Sequence, residues 1–186
     1  MRIVAGRFKG KTLASPRSHG TRPTSDRLRE TIFNILAHGI GFDVEHARVL
    51  DLFAGTGALG FEAISRGARH CTFIEEGAEA RGVIRTNMEN LGLNGVAKIF
   101  RRDAARLGAV GTIDPFTLVF ADPPYGKGLG EKALASAAIG GWLKPGALCV
   151  VEESAGEAPE FPTDFTEMDR RQSGDSQIIF LEYQAG

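Results

Sequence analysis

The sequence predicts an α/β fold: an open, doubly wound, mostly parallel seven-stranded sheet with an antiparallel last strand, preceded by a β-hairpin and a helix. Three observations predict it. From residue 48 onward, short apolar runs alternate with amphipathic segments, as in strands joined by crossover helices and buried on both faces. A turn with glycines at 55, 57 and 60 joins the first run to the first of these helices. The last two runs, "DFTEMDRRQ" and "SQIIFLEY", are separated only by Ser173-Gly174-Asp175, which leaves no room for a crossover and predicts an antiparallel pair at one edge.

The elements follow in order. "RIVAGRFKGKTLAS" (2–15) predicts a hairpin around Lys9-Gly10, and 16–23 read as a loop. A helix is predicted from about Thr24, with Leu28, Ile32, Ile35 and Leu36 on one face. "RVLDLF" (48–53) is a strand, and "ALGFEAISRG" a helix with Glu62 and Arg66 four apart. "HCTFIEE" (70–76) is a strand, followed by a helix over 78–91 with Ile84, Met88 and Leu91 in phase. "AKIFRRD" (97–103) and "FTLVFAD" (116–122) are strands, 129–139 a helix, and "GALCVVEE" (146–153) a strand. The closing pair occupies 164–172 and 176–183. There is no repeat or low-complexity linker, so one domain is expected over 1–186: a basic hairpin extension (1–20) on a catalytic core (21–186).

Composition narrows the function. No apolar run approaches the roughly 18 residues that span a bilayer, and the start "MRIVAGRFKGK" has no apolar signal region, so a cytoplasmic protein with no membrane partner is expected. Cys71 and Cys149 sit in strand-like runs and read as reduced core thiols. His19, His38, His46 and His70 lack ligand spacing, so no metal is expected. The net charge of −1 is unevenly spread: residues 1–29 hold eight basic residues against Asp26 alone. A basic arm on an acidic body suits nucleic acid, with Arg2, Arg7, Lys9 and Lys11 as candidate RNA-phosphate contacts; a solvated hairpin guarding a sheet edge explains the charge equally well.

Two segments carry chemistry. In "VLDLFAGTGALG" the glycines fit a nucleotide-binding turn, and Glu75, at the end of the next strand, stands where a carboxylate binds a ribose hydroxyl. Asp51, at the mouth of the first strand, distinguishes the ligands. It would repel a pyrophosphate, whereas the ammonium and sulfonium of S-adenosylmethionine both favour a carboxylate. Asp103, ending the third strand, is placed to accept from an adenine amino group.

The second segment, Asp122-Pro123-Pro124-Tyr125, closes the fourth strand, which in such a sheet neighbours the first. The prolines fix the backbone. The Asp122 side chain and the Pro123 carbonyl then form two acceptors for an exocyclic amine, drawing its nitrogen out of the base plane. Tyr125 offers a face on which a flipped base stacks. The segment pattern thus predicts amine methylation.

"RPTSDRLRETIFNIL" (22–36), "DLFAGTGALGFEAISRGA" (51–68), "FIEE" (73–76), "RRDA" (101–104) and "DPPY" (122–125) together resemble the bacterial 16S rRNA guanine-N2 methyltransferases of the RsmD type. The resemblance runs over nearly the whole chain, to the closing "GDSQIIFLEY". It implies a class I methyltransferase that uses S-adenosylmethionine and acts on a guanine amine of 16S rRNA within the small ribosomal subunit or its assembly intermediate. A monomer is expected. The resemblance also implies that Arg22 and Thr24 lie by the methionine end of the cofactor. Phe53, Gly55, Gly57 and Ala104, inside the matched blocks, join Asp51, Glu75 and Asp103 as its expected contacts. One departure stands out: Gly77 replaces an Asp that the family often carries two residues after its Glu, and both Glu75 and Glu76 remain candidates for the ribose. Two other readings stay open: methylation of a DNA adenine N6 or a protein side chain, and a nicotinamide-dependent oxidoreductase or non-catalytic nucleotide-binding module.

Overall fold

The computed structural model describes residues 1–18 and 24–186. Strands β1 (Arg48–Leu52), β2 (His70–Ile74), β3 (Ala97–Phe100), β4 (Phe116–Ala121), β5 (Leu143–Ser154), β6 (Phe165–Ser173) and β7 (Ser176–Tyr183) form one sheet in the order β3-β2-β1-β4-β5-β7-β6. The first five run parallel; β7 is antiparallel to both β5 and β6. The predicted doubly wound topology and its antiparallel edge are present.

Helices α1 (Asp26–Asn34), α2 (Ala58–Ser65), α3 (Ala78–Leu91) and α4 (Leu129–Ile139) cover the sheet. Side-chain alternation along the strands divides the core in two. Val49, Leu118, Phe120 and Val150 pack with Ile32, Phe33, Phe61 and Ile84 on the first face. Leu50, Leu52, Val119, Ala121 and Val151 pack with Leu134, Ala137 and Trp142 on the second. Burying each large side chain contributes about 1.5–3 kcal/mol, so both layers hold the central strands in place.

Several boundaries differ from expectation. Helix α1 begins at Asp26, because the Ser25 hydroxyl accepts the Leu28 N–H at 3.1 Å and caps it. The chain then widens into a π-type turn over Ile35–Ile40, ended by Gly41 at φ 77°. Strand β3 stops at Phe100, so Asp103 does not end a strand; it caps a short 3-10 turn, Ala104–Arg106. Strand β5 starts three residues earlier than predicted.

The N-terminal segment makes contacts that its own sequence does not announce. It doubles back on itself as predicted: Arg2 bridges Thr12, the Ile3 N–H donates to the Lys11 carbonyl at 3.0 Å and the Leu13 N–H to the Met1 carbonyl at 3.0 Å, while the donors at its turn go to helix α2. The Val4 and Ala5 N–H groups donate to Glu62, and those of Arg7 and Phe8 to the Ser65 carbonyl and hydroxyl. Gly6, at φ 83°, is pressed so closely on Ser65 that a Cβ there would lie 1.9 Å from its carbonyl oxygen. The segment is therefore a strap tied to α2. The expected Glu62–Arg66 pair forms at 3.1 Å, but the fully buried Glu62 also anchors this strap.

Candidate functional site at the carboxyl edge of the sheet

Parallel strands direct their carboxyl ends to one edge, and the strand order reverses between β1 and β4, which opens a crevice there. Asp51 of β1, Glu75 after β2 and Asp122 after β4 converge on that crevice. Between them runs the glycine turn, whose three glycines do different work. Gly55 adopts φ 56°, and a Cβ there would meet nothing nearer than the Phe53 carbonyl at 3.9 Å, so its bare backbone faces open space. Gly57 adopts φ 78° at the start of α2. At Gly60 a Cβ would lie 2.4 Å from the Phe73 ring and 2.6 Å from the Cys71 sulfur, so a hydrogen there lets α2 lie directly on β2. Phe53 turns the chain out of β1 at φ 54°.

The carboxylates are held by backbone donors. Asp51 is 2% exposed and accepts the Gly60 N–H at 3.1 Å. Burial pushes its pKa well above the ordinary carboxylate range, and the charges of Asp122 and Glu75 push it further. Glu75 accepts the Gly55 N–H at 2.8 Å and the Gly77 N–H at 2.9 Å, so its carboxylate lies against the glycine turn. Glu76 is exposed, and its carbonyl engages Arg81. The Asp103 carboxylate accepts the Ala105 N–H at 2.9 Å beside the buried Ala104.

Asp122 opens the Pro-Pro turn. Its Oδ2 accepts the Thr24 hydroxyl at 2.9 Å, which joins the start of α1 to the end of β4. Pro123 is buried and Pro124 exposed. Tyr125 is half-buried and donates its hydroxyl to Glu152 at the end of β5, while the Gly126 N–H donates to Glu153 at 3.0 Å. The turn is thus clamped from the neighbouring strand. Arg22 lies outside the described residues, as does most of the predicted loop.

Two contributors are not apparent from the sequence. Arg29 belongs by position to the basic arm, yet it is fully buried. Its guanidinium donates to the Thr24 carbonyl at 3.0 Å, to Asp26 at 2.8 Å and to the Arg2 carbonyl, fixing the strap and Thr24 together. Glu152 reads only as strand; its place at a carboxyl end beside the fourth strand is the available signal. Arg2, Arg7, Lys9 and Lys11 are all exposed. Arg2 lies at the start of α1 beside Asp26, whereas Arg7 lies at the far end of α2, about 12 Å along that helix from the glycine turn. A depression of about 600 Å³ between Ala105 and Ile139 lies beside the turn that Asp103 caps, and Asp51, Glu75 and Asp122 do not line it.

The donor set decides between ligand classes. Three carboxylates around a bare glycine turn repel a pyrophosphate and favour a cationic ligand, which fits S-adenosylmethionine. Among the described residues, no group of His, Cys, Asp and Glu could hold a metal ion, and no helix is long and apolar enough to cross a membrane.

The profile of the family described as Conserved hypothetical protein 95 matches residues 1–182. Ribosomal RNA small subunit methyltransferase D of Escherichia coli (strain K12) is 36% identical over 185 residues, covering 99% of this chain and 89% of that one. The Haemophilus influenzae protein of the same name is 34% identical over 176 residues, covering 94% and 89%. Among solved structures, the yhhF protein from Escherichia coli superposes with a TM-score of 0.84 at 33% identity, covering 100% of this chain and 99% of that one.

Proposed function

Because this chain belongs to the Conserved hypothetical protein 95 family, of RsmD type, we propose that it methylates the exocyclic N2 amine of a guanine in 16S rRNA, using S-adenosylmethionine. The observation that carries this reading is the convergence of Asp51, Glu75 and Asp122 around the glycine turn, against the rigid Pro-Pro segment.

When bound, S-adenosylmethionine supplies an electrophilic methyl group. The bare Gly55 backbone admits the ligand closely, Glu75 takes the ribose hydroxyls, and Asp51 faces its positive charge. Phe53, Gly57, Thr24, Asp103, Ala104 and Arg22 complete the binding surface.

The substrate amine is held by two acceptors, the Asp122 carboxylate and the Pro123 carbonyl. The amine lone pair is delocalised into the base, so the nitrogen must leave the ring plane before it can attack. Acceptors placed outside that plane favour the change and stabilise the positive charge that develops on nitrogen. Thr24 orients Asp122 by its hydrogen bond, and Arg29 holds Thr24, so alignment is built into the fold. The base stacks on Tyr125, a contact of about 1–3 kcal/mol. No strong general base is needed, because the substituted amine is acidic enough to lose its proton to solvent. Arg2, Arg7, Lys9 and Lys11 supply phosphate contacts that add affinity without reading sequence. The protein acts as a cytoplasmic monomer on the small subunit or its assembly intermediate.

Transfer of labelled methyl to small subunits lacking the modification tests this reading. Wild-type protein yields N2-methylguanosine and Asp122→Ala yields almost none. Full activity in Asp122→Ala, or product only on duplex DNA, contradicts it.

A further inference from the structure

Glu152 is a buried carboxylate for which the chemistry above has no use. It is 8% exposed. One oxygen accepts the Tyr125 hydroxyl; the other, Oε2, is buried and has no hydrogen-bond partner among the described residues. The adjacent Glu153 is different: its Oε1 takes the N–H groups of both Gly126 and Ser154, at 3.0 and 2.7 Å. A buried carboxylate oxygen without a donor is costly, and such an atom calls for an explanation, of which a role in the chemistry of the site is one.

Register places this atom. Ala121 pairs with Val151, and both face the second core layer, whereas Phe120 and Val150 face the first. Strand alternation then sends Asp122 and Glu152 to the first face, side by side at the ends of adjacent strands. Ile178, which pairs with Glu152 on β7, faces the same way. The two carboxylates therefore share one face at the end of the sheet, where Glu152 holds the Tyr125 hydroxyl.

We propose that Glu152 selects guanine, its second oxygen accepting the N1–H of the base while Asp122 holds the neighbouring N2 amine. This rests on the guanine-N2 reading above and deepens it. Guanine presents two adjacent donors, N1–H and the 2-amine, and two carboxylate oxygens complement them. Adenine presents an acceptor at N1 beside its 6-amine, and that lone pair would face the acceptor oxygen of Glu152. A site built to receive a donor rejects analogues that lack it. The Pro-Pro turn serves amines in general, and Glu152 restricts it to the guanine edge.

The test uses reconstituted small subunits carrying either guanine or 2-aminopurine at the nucleotide that the wild-type protein methylates. 2-Aminopurine keeps the amine and replaces N1–H by a lone pair. Wild type prefers guanine by about a hundredfold in kcat/KM. Glu152→Gln loses about a hundredfold on guanine and retains less than about threefold preference between the bases, with S-adenosylhomocysteine binding unchanged by calorimetry. Tyr125→Phe, which removes the hydroxyl and leaves the carboxylate, is slower but keeps the guanine preference. A Glu152→Gln enzyme that still prefers guanine as strongly as wild type overturns the proposal, whatever its rate, and leaves Glu152 a prop for Tyr125. Wild-type protein that forms no N2-methylguanosine overturns the underlying reading, and the proposal with it.

Discussion

The two ends of the same sheet are built in opposite ways. At the amino end, Arg48, Arg69 and Lys98 gather around His70. Arg48 donates to the Asp114 carbonyl at 3.0 Å and lies over the Phe116 ring, and His70 bonds the Thr72 hydroxyl at 2.8 Å. At the carboxyl end, Asp51, Glu75, Asp122 and Glu152 stand at the ends of neighbouring strands. Asp51 is fully buried with its pKa raised, and Glu152 has an oxygen with no donor among the described residues. The amino end is arranged for stability. The carboxyl end gathers carboxylates that a bound cation and a donor-rich base complement. One strand scaffold thus separates what holds the fold from what does the chemistry.

That contrast can be broken from either end. The largest effect belongs to Asp122→Ala, which lowers methyl transfer about a thousandfold, as expected when a preorganised acceptor is removed. Its melting temperature stays within about 2 °C of wild type, because a site carboxylate contributes little to the fold. A drop of more than about 8 °C would place Asp122 with the structural groups.

Next is Arg29→Lys. The single ammonium cannot bridge the Arg2 carbonyl, the Thr24 carbonyl and Asp26 at once. Methyl transfer falls about tenfold through kcat, with S-adenosylhomocysteine affinity within about threefold of wild type, read by calorimetry. Unchanged kcat would disconnect α1 from the catalytic turn.

Neutralising Arg7, Lys9 and Lys11 weakens small-subunit binding and lowers its salt slope by roughly two to three, about one for each phosphate no longer neutralised. An unchanged slope returns these residues to a solvated surface.

The smallest effect lies at the amino end. Burial, with Arg48, Lys98 and Arg69 nearby, lowers the His70 pKa from 6.5 to about 4. The folded state thus binds fewer protons than the unfolded chain in that window. Stability is complete above about pH 6.5 and declines as the pH falls toward 4. His70→Gln flattens that decline in denaturant titrations and leaves methyl transfer intact. An acid profile identical to wild type would remove His70 as a source of acid sensitivity.

Much of this was legible in the sequence, for physical reasons. Strands buried on both faces must be apolar throughout, so β1, β2 and β4 announced themselves, and the alternation fixed the sheet edge at which Asp51, Glu75 and Asp122 meet. Gly60 was legible as part of a pattern, although the pattern did not reveal that it makes room for Phe73. What stayed hidden depends on distant partners. Arg29 resembles its exposed neighbours until the Arg2 and Thr24 carbonyls enclose it. Residues 2–15 double back as their pattern predicts, but nothing local shows that Glu62 and Ser65, some sixty residues away, tie the turn of that hairpin to α2. Asp103 ends a run whose strand stops at Phe100, and it caps instead the short turn over Ala104–Arg106. Glu152 carries no local signal, because only the β4–β5 register brings it to Tyr125.

Whether the carboxyl edge is charged for a cationic ligand can be measured directly. S-adenosylhomocysteine keeps the ammonium, and its affinity can be followed by calorimetry from about pH 5 to 8 in wild type and Asp51→Asn. Asp51 must ionise to meet that charge, and its pKa is raised, so affinity climbs with pH in the wild type. In Asp51→Asn, affinity is at least about tenfold weaker, the loss of a charge-assisted hydrogen bond, and nearly flat with pH. Wild-type affinity independent of pH and equal to that of Asp51→Asn would show that the edge is not charged for its ligand.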